Sequence, residues 1–383
     1  VLSVQLRDFR SFSNAQAHLG EGLTVVHGPN GAGKSNFLEA LYFGCTGQTL
    51  RARNDRELVR FGAQSTRVVV RTADERGEEH ELSVGYAPAA TSDERPDASE
   101  RPAGDERPAK HMRADGAPVE RLLDVELRPL VSVFHPDRLE LIKGGPALRR
   151  AHLDTLVAAL WPLRVATRRA YARALAQRNA LLAAIRAGRA SQATLPSWDR
   201  ELAVHAVALR DNRAAAAARI AELFTARAAQ LGLEGVARIE YRPRSRARDT
   251  DEFAAELRER LPGELQRGFG THGPHRDELL FLRDARELRT YGSQGEQRLA
   301  LLALLLAERA VLAEQRRTPL MLLDDVTSEL DSPRRELLCG ELAAGGQSVI
   351  ATTDLAHVPA AASAGATRLC ISSGAILQEA LAA

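Results

Sequence analysis

Eight consecutive residues constrain this chain more than any other stretch: Gly28-Pro29-Asn30-Gly31-Ala32-Gly33-Lys34-Ser35. They match the pattern G-x-x-x-x-G-K-S, in which glycines let the backbone turn tightly and aim its amide hydrogens at phosphate oxygens. Such a loop works between a buried strand and a helix, whose N-terminal end adds positive potential. Both flanks are present. Leu23 to Val26 is apolar and β-branched, and Asn36 to Tyr42 carries Phe37, Leu38 and Leu41 at helical spacing. Lys34 is expected on the β and γ phosphates of a nucleotide and Ser35 on a Mg²⁺ ion, with Gly28, Asn30, Gly31, Ala32, Gly33 and Asn36 completing the cradle.

A second segment, Pro319-Leu320-Met321-Leu322-Leu323-Asp324-Asp325, reads as a buried parallel strand ending in two carboxylates. Alone it could equally close in a plain turn or helix cap. Beside a phosphate loop, Asp324 is expected to hold Mg²⁺ and Asp325 to orient or deprotonate the attacking water. Lys34, Asp324 and Asp325 are thus the expected catalytic set. Aspartate is shorter than glutamate in the second place, which predicts slow turnover. A third segment, Tyr291-Gly292-Ser293-Gln294-Gly295-Glu296-Gln297-Arg298, runs into the apolar helix Leu299 to Leu312. Serine at such a start serves as a helix cap or as part of an anion site.

Composition narrows the alternatives. Among 383 residues, 52 basic and 50 acidic side chains leave a net charge of +2, so nucleic-acid binding would have to rest on local patches. Cys45, Cys339 and Cys370 form no C-x-x-C and suggest neither zinc nor disulfides. Lysine occurs only at Lys34, Lys110 and Lys143, so the loop keeps a compact ammonium in a chain that otherwise uses arginine. The start alternates like a strand, and the run Leu299 to Ala307 is too short to span a bilayer. The expectation is a soluble, cytoplasmic protein with no membrane partner.

Organisation follows from periodicity. Arg67 to Arg71 and Glu81 to Tyr86 predict an antiparallel strand pair, and Ala87 to Lys110 a solvated insertion, repeating Asp93-Glu94-Arg95-Pro96 at Asp105-Glu106-Arg107-Pro108. From Pro146 to about Leu231 apolar residues recur at helical spacing, interrupted by the polar stretch Ser191 to Ser197. Strands are predicted at Ala237 to Tyr241, Ser348 to Thr353 and Arg368 to Ile371. The fold class is α/β: a mixed sheet flanked by helices, with an inserted helical lobe. Residues 1–145 and 268–383 would form the nucleotide-binding head and 146–267 the lobe.

The order phosphate loop, helical insertion, Ser-Gln-Gly-Glu-Gln, paired acids, then Ser328-Glu329-Leu330-Asp331 resembles the heads of the SMC-like branch of the ATP-binding-cassette ATPases. Within it the chain resembles the RecF family of recombination mediators. Four segments carry this resemblance: Leu6 to Phe12, Gly144 to Arg150, Thr271-His272-Gly273-Pro274-His275-Arg276-Asp277, and Leu322 to Asp331. The resemblance implies an ATP-gated homodimer, with Mg²⁺, on gapped duplex and single/double-strand junction DNA. It also implies work with RecO and RecR to load RecA, and slow hydrolysis as a release timer. Ser293, Gln294, Gly295 and Glu296 would then touch nucleotide held by the other protomer, with Asp331 at the interface. Arg10 and Asn30 would lie near the γ phosphate. Arg10 could instead be an exposed strand-end residue.

Two departures stand out. Thr353 occupies the place where transporter cassettes carry a switch histidine, and His135 in Phe134-His135-Pro136-Asp137 occupies the approximate region of the glutamine loop. His135 is expected to be structural, and His272 and His275 to fix a turn. Arg149, Arg150, Arg164, Arg168, Arg169, Arg173 and Arg178 recur on the helical lobe and are the DNA-binding candidates, against the alternative of a solvated helix face. A transporter subunit is disfavoured by Thr353 and the arginine-rich insertion. A long coiled-coil organiser lacks sustained heptads. A scaffold with negligible hydrolysis remains open.

Overall fold

A computed structural model describes residues 1–88, 109–363 and 365–379. The repeat Asp93–Pro96 and Asp105–Pro108 lies outside the described residues. Two compact units divide the chain: residues 1–137 with 317–383, and residues 138–316.

The first unit holds two six-stranded sheets. One is antiparallel, in the order Phe12–His18, Ser3–Phe9, Thr66–Ala73, Glu79–Ala87, Ala109–Ala114, Ala117–Val119. The insertion therefore begins and ends in paired strands, narrower than the composition indicated. The other runs Ala375–Glu379, Thr367–Ser372, Leu23–His27, Ser348–Thr352, Leu320–Asp324, Val131–Phe134. Its strands are parallel except for the Ala375–Glu379 hairpin partner. Leu23–Val26, Leu320–Asp324 and Ser348–Thr352 are buried throughout, as strands of a covered parallel sheet must be.

The helix Lys34–Thr46 joins the two sheets. It is apolar nearly all round, burying Phe37, Leu38, Leu41 and Phe43, and so cannot face water on any side. These side chains share one core with Leu6, Phe9, Val68 and Val84 of the first sheet and Val26, Leu322 and Val349 of the second. At about 1.5–3 kcal/mol for each large apolar side chain, this helix anchors the loop before it as much as the strand does.

The second unit contains the helices Pro146–Leu160, Val165–Arg186, Leu195–Gln230, Thr250–Arg267 and Gln294–Ala313, and a small antiparallel sheet of Ala237–Arg242, Glu278–Arg283 and Arg286–Glu287. Leu202, Ala206, Leu209, Ala216, Ile220 and Phe224 form the buried stripe of the longest helix. Pro196 lies in its first turn, where the missing N–H costs nothing, so the helix begins inside the stretch read as a linker. Residues 268–316, expected with the head, pack in this unit. Glu278–Arg283 pairs with Ala237–Arg242 in register, and Phe281 meets Phe224 with ring centroids 5.9 Å apart. No helix among the described residues is long and apolar enough to cross a membrane.

Candidate functional site

Because Leu23–His27, Ser348–Thr352 and Leu320–Asp324 are parallel neighbours, their C-terminal ends share one edge. That edge carries the glycine loop, Thr353 and the two acids. Gly28 has φ +153°, and a Cβ there would stand 2.2 Å from the Ile371 carbonyl oxygen. Gly33 has φ +112°, and its Cβ would stand 2.7 Å from Ser11 Oγ. Gly28 is thus required by space and by dihedral angle, and Gly33 by its dihedral angle. Asn30 and Gly31 are exposed at the loop tip, and Ala32 is buried beneath it.

Lys34 Nζ donates to the Gly28 and Pro29 carbonyl oxygens at 2.8 and 2.9 Å, folding the ammonium back over the loop. Burial holds this lysine below its ordinary range, while Asp325 and Asp324 act in the opposite direction. Ser35 Oγ donates to Asp324 Oδ1 at 3.0 Å. Asp325 is exposed in the left-handed region at φ +51°, its N–H bonded to the Ala351 carbonyl. The hydroxyl of Ser35 and the carboxylate of Asp324 form a hard-oxygen pair that fits Mg²⁺.

Two contacts here do not follow from the sequence. His135 Nε2 lies 3.4 Å from Asp324 Oδ2. Val131–Phe134 pairs in parallel with Leu320–Asp324, Phe134 opposite Leu323, which brings the next residue of each strand together. Burial holds the His135 imidazolium below its ordinary range, against the pull of Asp324 and Asp137. Second, Arg10 is not a free strand-end residue. Its Nε donates to the fully buried Glu39 at 3.0 Å, and Arg51 reaches both Glu39 and the Asn36 side-chain oxygen. Burial pushes Glu39 up, but the two guanidinium groups outweigh it and leave its carboxyl below the usual range. Asn36 also donates to Ser11 Oγ at 3.0 Å. Arg10 and Asn36 are therefore braced on the loop's own helix.

In the second unit, Ser293 caps the Gln294–Ala313 helix in a capping box. Its Oγ accepts from the Glu296 N–H at 3.3 Å, and the Glu296 carboxylate accepts from the Ser293 N–H at 2.8 Å. Glu296 also pairs with Arg283. Ser293, Gln294 and Gly295 are exposed, and the serine hydroxyl keeps its hydrogen for another acceptor. In the first unit, Asp331 is exposed and caps Ser332–Ala343, accepting from the Arg334 N–H at 3.0 Å.

The seven candidate DNA-binding arginines divide. Arg149 and Arg178 must be withdrawn as surface contacts, because both are enclosed. Arg149 is 2% exposed, holding Glu278 and the Gly144 carbonyl, and Arg178 is 0% exposed between Asp199 and Glu264. Their helical spacing reflects a buried ion network, which the same sequence pattern cannot distinguish from a basic face. Arg168 pairs with Asp154, Arg164 lies over the Trp161 ring, and Arg150 donates to the Asp277 carbonyl. Arg169 and Arg173 are exposed on their helix.

The segment Thr271–Asp277 is a turn that buries His272, Gly273, Pro274 and Asp277 and leaves Arg276 exposed. Tyr171 OH lies 2.6 Å from His275 Nδ1, and His272 Nε2 lies 2.6 Å from Glu256 Oε2. Both histidines stand inside that frame.

Residues 1–364 match the family described as the RecF/RecN/SMC N-terminal domain. The chain is 36% identical over 375 residues to the DNA replication and repair protein RecF of Myxococcus xanthus, covering 94% of this chain and 93% of that protein. It is 35% identical to RecF of Frankia alni, covering 98% of each. Among solved structures, the recombination mediator RecF with ATP, from the RecFOR pathway, superposes with a TM-score of 0.81 at 24% identity, covering 99% of this chain and 97% of that one. The Smc head from Pyrococcus furiosus, solved with a ScpA domain, gives 0.60 at 16%, covering 99% and 96%.

Proposed function

The chain belongs to the RecF family, within the RecF/RecN/SMC group, and on that premise we propose that it is an ATP-dependent DNA-binding recombination mediator. It would dimerise on ATP, engage gapped duplex or single/double-strand junctions, and with RecO and RecR promote RecA loading in the cytoplasm, at the nucleoid. One observation supports this reading above others: the Ser35–Asp324 contact at 3.0 Å, next to a loop whose Gly28 admits no side chain.

Each residue has a defined task in this reading. The loop from Gly28 to Gly33 presents amides to phosphate oxygens, and Lys34 exchanges the Gly28 and Pro29 carbonyls for phosphate. Ser35 and Asp324 hold Mg²⁺, which when bound offsets charge on the β and γ phosphates. Asp325 orients the attacking water, and its short side chain predicts slow turnover; in this reading DNA stimulates it. Arg10, braced by Glu39, faces the phosphates together with Asn30 and Asn36. Ser293, with Gln294, Gly295 and Glu296, contributes its free hydroxyl hydrogen to the nucleotide of a second protomer, and Asp331 lies at that interface. Residues 1–145 and 268–383 act as head and 146–267 as lobe in this scheme, with 138–145 and 268–316 packing as part of the lobe's compact unit.

ATP drives closure because it binds the closed dimer with contacts that the open state lacks. Sedimentation with and without ATP, repeated on a gapped duplex, tests this. The parent should dimerise only with ATP, Lys34→Met should stay monomeric, and Asp325→Asn should dissociate more slowly than the parent. A parent that stays monomeric at saturating ATP would refute the reading.

A further inference from the structure

The Thr271–Asp277 turn has no task in nucleotide chemistry, yet it is held in place from several directions. Asp277 is 1% exposed. Its carboxylate accepts from Tyr241 OH and, at 2.8 Å, from the Arg244 backbone N–H, while its carbonyl accepts from Arg150 at 2.9 Å. The Pro274 carbonyl accepts from the buried Arg213 at 2.7 Å. Gly273, at φ +131°, brings the turn so close to Tyr171 that a Cβ would meet its hydroxyl at 2.8 Å. A rigid base of this kind projects Arg276 outward at the end of the Pro274–Arg276 turn. Arg244, Thr271 and Arg276 line one open cleft of about 320 Å³.

The local charge is unbalanced. Arg242 pairs with Glu240, Arg248 with Glu252, and Arg213 with Asp154 and Asp277. Glu256 is engaged by His272 and Ser245, and Glu278 by Arg149. Among the described residues, neither the Arg244 nor the Arg276 guanidinium group has a carboxylate in an ion pair with it. Burial, then repulsion from Arg213 and Arg276, holds Arg150 below its ordinary range against the attraction of Glu278 and Asp277. Like charges held together on a rigid frame cost free energy unless an anion joins them. The Thr271 hydroxyl lines the cleft but donates to Glu264 Oε1 at 3.3 Å, so the two planar forks are the groups suited to phosphate oxygens.

We infer that Arg244 and Arg276, in the cleft they line with Thr271 and near Arg150, bind the phosphate backbone of duplex DNA, on a base organised by the buried Asp277. The cleft lies outside the helical arginines that the sequence singles out. It reads backbone and not sequence, since guanidinium–phosphate contacts carry no base information. The inference rests on the DNA-binding reading above.

Fluorescence anisotropy of a labelled duplex, titrated with ATP-bound protein across a salt series, tests it. The Arg244→Gln/Arg276→Gln double variant should bind duplex at least about tenfold more weakly. Its slope of log affinity against log salt should fall by about 2, at about 0.9 for each phosphate that is no longer neutralised. The Arg244→Lys/Arg276→Lys variant should recover most of the affinity, and ATP-dependent dimerisation should be unchanged in both. Unaltered affinity and slope in the glutamine variant, with the parent binding duplex, would overturn the cleft and leave the DNA reading standing. A glutamine variant that keeps duplex but loses RecR would assign the cleft to a protein partner and overturn the inference. A parent that binds no duplex would overturn both.

Discussion

Ser35 Oγ and Asp324 Oδ1 meet at 3.0 Å although 289 residues separate them in sequence. The parallel registers of Leu23–His27 and Leu320–Asp324 on either side of Ser348–Thr352 bring both to one sheet edge. Asp324→Asn keeps an acceptor for Ser35 and removes the charge. It should fold like the parent and lose at least about tenfold in Mg²⁺-dependent ATP affinity, with little change when Mg²⁺ is chelated. Nucleotide titrations with and without Mg²⁺ check this; an unchanged Mg²⁺ dependence refutes it.

Gly28 and Gly31 both have positive φ, but only Gly28 is enclosed. Gly31→Ala should cost about 1 kcal/mol of strain. Gly28→Ala adds a Cβ 2.2 Å from the Ile371 carbonyl oxygen and should cost about 3 kcal/mol or more, with nucleotide binding lost. Urea unfolding of the two variants ranks them, and equal losses would be inconsistent with the loop geometry.

Ser293 has two separable roles. Aspartate is as good an N-cap as serine, so Ser293→Asp should keep the helix and the unfolding midpoint. Its carboxylate would meet the nucleotide of the second protomer as a like charge, and ATP-dependent dimerisation should disappear. Ser293→Ala should show the reverse emphasis: a loss of about 1 kcal/mol from the missing cap and a milder assembly defect. A Ser293→Asp protein that dimerises normally on ATP removes the serine from the interface.

Arg178 lies between Asp199 and Glu264, both at 2.6 Å, with all three side chains almost fully enclosed. Removing the guanidinium strands two buried carboxylates, so Arg178→Ala should lose about 3–5 kcal/mol. Arg173→Ala on the same helix is exposed and should change stability by no more than about 0.5 kcal/mol. Chemical denaturation of the pair distinguishes a core arginine from a surface one.

Burial, with repulsion from Arg276, lowers His275 from 6.5 to about 4. The unfolded chain therefore takes up the proton first as pH falls. Stability contributed by the neutral ring is complete above about pH 7 and drains away between about 6.5 and 4, by at most about 3 kcal/mol. His275→Gln should show a shallower loss than the parent across that window and no difference in slope above pH 7. Parallel slopes at all pH values would refute the assignment.

The phosphate loop and the acidic strand are legible because each is written locally: eight contiguous residues in one case, a five-residue apolar run in the other. Arg149 and Arg178 are not, since an arginine every three or four residues describes an exposed basic face and a buried ion network equally well. Only their partners Glu278, Asp199 and Glu264, far away in sequence, decide between them. His135 stands out in the sequence without any link to Asp324, because that contact depends on the pairing of Val131–Phe134 with Leu320–Asp324. That residues 268–316 pack in the second unit is hidden for a similar reason: the partner of Glu278–Arg283 is Ala237–Arg242.

The carbonyl of Ile371 forms the wall against which Gly28 turns. A ribosome makes the glycine loop long before it makes this wall. Until the strand Thr367–Ser372 emerges, the polypeptide carries the phosphate-binding letters without the surface that shapes them, so competence for nucleotide waits on that strand.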